Sequence, residues 1–138
     1  MSSENLLVID ATGAVLGRLA SFAAKQALKG KSIIIVNCGE ALITGRRQNI
    51  IEEYKAARQR GGSSHRGPFF PKYPDRLVKR IIRGMLPPKK DYARGVEALK
   101  RVKCYNDVPK EYEHVKKLIA GKEKKVKTMK LSDLSREL

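Results

Sequence analysis

Tryptophan is absent from this chain, aromatic residues make up 6% of it, and cysteine and histidine occur twice each. Cys38, His65, Cys104 and His114 show none of the short paired spacings that zinc sites use, so no metal site is expected. The two cysteines lie far apart, each beside an apolar run, and read as reduced core thiols rather than a disulfide. Acid is scarce as well: 14 Asp plus Glu stand against 30 Lys plus Arg. Apart from Glu52-Glu53 the carboxylates fall singly, which leaves no pair for acid–base catalysis. There is no run of about 18 apolar residues to cross a membrane. The N-terminal MSSENLLVID also lacks the basic and hydrophobic regions of a leader, so a soluble, cytoplasmic protein is expected.

What the chain has in excess is positive charge. Its net charge is +16, its pI is near 10.1, and 32% of its residues are charged, against about 25% in ordinary domains. A polyanion is the expected partner. A length of 138 residues suits a single domain that buries roughly two thirds of the surface exposed by the unfolded chain. The pattern places a core over about 5–109 and a lysine-rich extension over about 110–138 of the 1–138 domain.

Leu6 to Ile9 reads as a buried strand leaving through the turn Asp10-Ala11-Thr12-Gly13. A helix follows, capped by Thr12, with Val15, Leu16, Leu19, Phe22, Ala23 and Ala27 as its apolar stripe and Gly30 beyond its end. Lys31 to Asn37 carries Ile33, Ile34, Ile35 and Val36 without alternation, as a strand covered on both faces does. Strand, helix and strand together predict a parallel βαβ unit. A third short strand is expected between Gly39 and Gly45, and a second helix over about Gln48 to Gln59 with Ile50, Ile51, Tyr54 and Ala57 inward. A short helix from Tyr92 to Lys100 leads into a last strand, Arg101 to Tyr105, and Leu131-Ser132-Asp133 looks like the start of a terminal helical turn.

Phosphate-loop readings fail on spacing. Gly13 and Gly17 do not complete GxGxxG, and Gly17 lies inside an apolar helix. Gly39 and Gly45 precede Arg46-Arg47 where a phosphate loop has Lys followed by Ser or Thr. Neither cysteine has a readable activating group that would make it a nucleophile with His65.

The stretch from Arg58 to Lys90 is the most distinctive. Arg58, Arg60, Arg66, Lys72, Arg76, Lys79, Arg80, Arg83, Lys89 and Lys90 face a single acid, Asp75. A merely solvated surface mixes charges of both signs, and this one does not. Gly61 to Pro74 reads as a loop ordered on contact, holding His65 as a further anion contact and Phe69, Phe70 and Tyr73 as stacking surfaces or anchors. From about Asp75 to Arg83 the charges fall three or four residues apart, with Leu77, Val78, Ile81, Ile82 and Met85 on the other side of the wheel. One face is built for burial and the other for phosphate. Forked guanidinium groups suit fixed phosphate contacts, whereas the lysines between Lys116 and Lys130 suit diffuse attraction.

VIDATGAVLGRLAS at 8–21, VNCGEALITG at 36–45, RGPFFPKYP at 66–74 and RGMLPPKK at 83–90 together resemble the universal large-subunit ribosomal protein L-thirteen family. VKCYNDVPKEY at 102–112 is similar to its archaeal and eukaryotic branch, and the short tail to the archaeal form. The resemblance implies an α/β fold of three layers, α/β/α, around a four-stranded, mainly parallel sheet, without catalysis. It also implies binding to large-subunit ribosomal RNA beside neighbouring large-subunit proteins, with contacts in the Arg66 loop and the segment from Arg83 to Lys90. No cofactor, membrane or small-molecule substrate is expected. Two rivals predict other behaviour: a nucleotide-using enzyme built on the βαβ start, and a general nucleic-acid packaging protein.

Overall fold

The computed structural model describes residues 6–59, 73–87, 93–119 and 127–137. Its first three elements are β1 (Leu6–Asp10), α1 (Leu16–Leu28) and β2 (Ser32–Val36), with β1 and β2 parallel from Leu6↔Ser32 to Asp10↔Val36. The register explains the unbroken apolar run. Ile9, Ile33 and Ile35 enter the main core, while Val8, Ile34 and Val36 form a second cluster on the other face. Such a strand has no solvent side, so alternation disappears.

The other elements are β3 (Leu42–Thr44), α2 (Arg47–Gln59), α3 (Pro74–Gly84), α4 (Ala93–Lys100), β4 (Val102–Cys104), β5 (Leu118–Ile119), β6 (Thr128–Lys130) and α5 (Leu131–Glu137). β4, β2 and β1 form the parallel body of the main sheet, and the two-residue β5 pairs with the last two residues of β1. β3 leaves this sheet altogether. It pairs antiparallel with β6, from Leu42↔Lys130 to Thr44↔Thr128, in a separate ribbon.

Helices α1, α3 and α4 pack together, with α3 also against β4 and α1 against β2. Their buried side chains share one core with Ile9, Ile33, Ile35 and Val102. The other face is packed by Leu6, Tyr105, Val108 and Tyr112. Among the described residues, the helical layer implied for that face is represented by a single 3-10 turn, Lys110–Tyr112.

Three local expectations are corrected. Thr12 does not cap α1, because its backbone N–H and its hydroxyl both donate to Asp10 Oδ1, at 3.0 and 2.7 Å. The helix begins after Val15, which has no side-chain cap and bridges to Leu42 instead. Phe22 belongs outside, at 38% exposure, and so does Met85, at 45%, because α3 ends at Gly84 before Met85 can follow the buried stripe. Gly30, by contrast, has the left-handed φ of 96° that its place after α1 requires. From residue 128 onward the chain returns inward, and Met129, Leu131 and Leu134 lie in the main core.

Candidate nucleic-acid interface

The candidate interface centres on α3. Pro74 opens the helix, where a missing N–H costs nothing, and Asp75 sits in the first turn, where negative charge suits the dipole. The Asp75 backbone N–H donates to Asn106 Oδ1 at 3.0 Å, which pins the start of α3 to the turn after β4. Leu77, Val78 and Ile82 are fully buried. Each stabilises the docked helix by about 1.5–3 kcal/mol, an upper range because the unfolded chain already buries some surface. That anchorage holds the opposite face outward.

On that face Arg76 and Arg83 are exposed, while Lys79 and Arg80 lie half-buried along its flank. The Arg76 guanidinium lies 5.8 Å from the centre of the Tyr73 ring, which is itself 57% exposed. This contact spreads charge and a flat aromatic surface into one patch. Arg46 and Arg47 stand elsewhere, at the turn from β3 into α2, and both are exposed. Gly45 makes that turn with φ 131°, its N–H donating to the Lys127 carbonyl at 2.9 Å. Arg47 is joined to Glu137 of α5 at 3.3 Å, an exposed pair worth at most about 1 kcal/mol that a phosphate can displace. α5 touches both α2 and α3, so the two basic places flank one terminal helix.

Of the other residues singled out in the sequence, Arg58 lies within α2, while Arg60, His65, Arg66, Lys72, Lys89 and Lys90 lie outside the described residues. Arg101, a basic residue of the last strand segment, serves the fold: its Nη1 donates to the Ala27 carbonyl at 3.0 Å, at the C-terminal end of α1 where a cation is favoured. Sequence reasoning missed the outward face of α1, where Arg18, Lys25 and Lys29 are exposed around Phe22. The signal was available as two cations in the helix and a third at its C-terminal cap, with no acid in the helix.

The site offers little to a nucleophilic or nucleotide-using mechanism. Cys38 is buried, and hydrogen bonding with Cys104, followed by burial, pushes its thiol far above the ordinary range, the reverse of what a nucleophile needs. A cavity of about 530 Å³ lies beside the β3–β6 ribbon, lined by Glu40, Arg47, Met129, Lys130 and Arg136, and the Gly13 N–H donates to the Glu40 carbonyl at 3.1 Å. Charges around it are partly neutralised within the protein, with Lys130 3.0 Å from Glu40 and Arg136 3.8 Å from Asp133.

Comparison with known proteins bears on the whole chain. The family model described as Ribosomal protein L13 matches residues 4–111. The protein named large ribosomal subunit protein uL13 in Methanosarcina barkeri is 53% identical over 107 residues, covering 77% of this chain and 74% of that protein. Its namesake in Archaeoglobus fulgidus is 40% identical over 141 residues, covering 98% of this chain and 88% of its own. The Thermoplasma acidophilum protein of that name is 43% identical over 134 residues, covering 95% of this chain and 96% of its own. The last two alignments carry the similarity through the C-terminal segment.

Proposed function

This chain belongs to the ribosomal protein L13 family, and we propose on that premise that it is a structural constituent of the large ribosomal subunit that binds large-subunit ribosomal RNA and supports its assembly. It works in the cytoplasm, within the particle, beside neighbouring large-subunit proteins, and catalyses no reaction. The observation that supports this reading best is α3, whose fully buried Leu77, Val78 and Ile82 hold Arg76 and Arg83 outward beside Tyr73.

Phosphate contacts supply most of the affinity, and the shape of folded RNA selects the site more than base identity does. The binding set is Arg46, Arg47, Arg58, Arg60, His65, Arg66, Lys72, Arg76, Lys79, Arg80, Arg83, Lys89 and Lys90, with the tail lysines adding diffuse attraction. In the assembled particle the chain is one domain of the family's three-layer α/β/α form, with a four-stranded sheet and a lysine-rich extension lying along RNA. The short β5 beside β1 and the run of lysines after residue 115 are what support this finer description.

The test is a binding titration of the full chain against large-subunit ribosomal RNA over a range of salt. If six to ten phosphates are engaged, affinity falls by about a thousandfold or more between ~50 and ~200 mM salt. Salt-independent binding, or equal affinity for unrelated duplexes, would overturn the reading. A rise in melting temperature with a mononucleotide would favour the enzyme instead.

A further inference from the structure

α2 shows what a solvated helix face looks like: Glu52, Glu53 and Lys55 are all exposed, with the two signs mixed. α4 does the same with Arg94, Glu97 and Lys100. α1 does not. Its sequence LGRLASFAAKQAL contains no acid, and its exposed positions include Arg18, Ser21, Phe22 and Lys25, followed by Lys29 at the C-terminal cap. Arg18, Phe22, Lys25 and Lys29 follow one another three or four residues apart, so they form a single line along the helix about 16 Å long. Among the described residues, no salt bridge joins Arg18, Lys25 or Lys29 to a carboxylate.

Helix stability accounts for only part of this line. Lys25 and Lys29 sit near the C-terminus, where cations complement the dipole. Arg18 sits in the first turn, where a cation opposes the dipole and no acidic residue offsets it. Phe22 adds an aromatic surface that the fold leaves 38% exposed, although buried Leu19 and Ala23 flank it on the inward side. A line of uncompensated cations around one aromatic ring is complementary to a sugar-phosphate backbone. α1 also packs directly against α3, so the line stands next to the patch already described.

We propose that the outward face of α1, formed by Arg18, Phe22, Lys25 and Lys29, is a second contact for the ribosomal RNA backbone, following a run of phosphates beside the one met by α3. This rests on the reading of the chain as a binder of large-subunit ribosomal RNA, and it extends the interface to a helix that the basic segment does not include. The three cations bind phosphate, and the Phe22 ring lies against a ribose or an unstacked base between them.

The full chain carrying Arg18→Gln, Lys25→Gln and Lys29→Gln together is compared with the unaltered chain and with the double variant Arg76→Gln, Arg83→Gln. Binding to large-subunit ribosomal RNA is titrated against salt, and backbone cleavage protection is mapped. The triple variant is expected to lower the salt slope by about two to three and to lose protection at nucleotides that the α3 variant still protects. Unaltered binding that is salt-dependent, together with an unchanged slope and footprint in the triple variant, would overturn the α1 proposal alone. Failure of the unaltered chain to bind would instead sink the reading beneath it. A triple variant that keeps its RNA footprint but drops out of reconstituted subunits would assign this face to an acidic protein neighbour and overturn the RNA assignment.

Discussion

Gly95 and Asp10 show how single atoms decide local outcomes. Gly95 lies buried in α4, where a change to alanine ordinarily helps by about 1 kcal/mol through helix propensity. Here an added Cβ would collide with the carbonyl oxygen of Pro87, a backbone atom that cannot rotate away. Gly95→Ala should therefore destabilise by about 1–3 kcal/mol, as overpacking does, which urea unfolding would detect; a stabilised variant would refute the close approach. At Asp10 partial burial alone would raise the carboxyl pKa. Hydrogen bonds from the Thr12 N–H, the Thr12 hydroxyl and the Asn37 amide, with the charge of Lys117, carry it below the ordinary value of 3.8 instead. A depressed carboxylate contributes stability that is present above the unfolded pKa and lost as pH falls through the folded one. The stability gap between the unaltered chain and Asp10→Asn should hence be widest near neutral pH and narrow below about pH 4, as parallel denaturation curves would show. Neither effect was legible in the sequence. Gly95 looked like any glycine in a short helix, and the Asp10 network includes Asn37 from beyond a whole crossover.

The elements that could be read are those whose signal is local. β1, α1 and β2 follow from periodicity and from a glycine in the left-handed region, and α3 from charge and apolar residues in phase on opposite sides. Phe22 was misplaced because its apolar identity suggested the core, whereas its phase puts it in line with Arg18 and Lys25. The β3–β6 pairing was out of reach, since β3 is three residues long and its partner lies near the far end of the chain. Two substitutions in α3 should separate its faces. Leu77→Ala empties a fully buried position and should cost about 2–5 kcal/mol in unfolding, with RNA affinity falling only as the fold weakens. Arg76→Gln and Arg83→Gln together alter exposed groups, should leave stability within about 0.5 kcal/mol, and should reduce affinity and the salt slope. A large loss of melting temperature in the double variant would show that this face is structural.

For the molecule as a whole, net charge pointed to the partner class and the fold explains how charge is aimed. A chain at +16 repels itself, and a core running from Ile9 through Ala23 and Ile33 to Leu134 must hold it together. Candidate site residues on α3 and at the start of α2 were legible from charge, yet their separation into two patches flanking α5 depends on tertiary packing. That same packing gives the C-terminal segment a part in the fold, with Met129, Leu131 and Leu134 in the main core. Leu131→Ala or Leu134→Ala should destabilise by about 2–5 kcal/mol, against near-neutral effects for substitutions on a peripheral tail, with thermal melting as the measure. The pairing of residues 42–44 with 128–130 has a temporal corollary. During synthesis the first two strands and their connecting helix can associate early, but the pocket that receives Leu131 and Leu134 stays greasy and open until those residues leave the ribosome that makes them. A nascent copy is thus most prone to clumping just before completion, and a chaperone that guards it should bind the unfinished form and release the finished one.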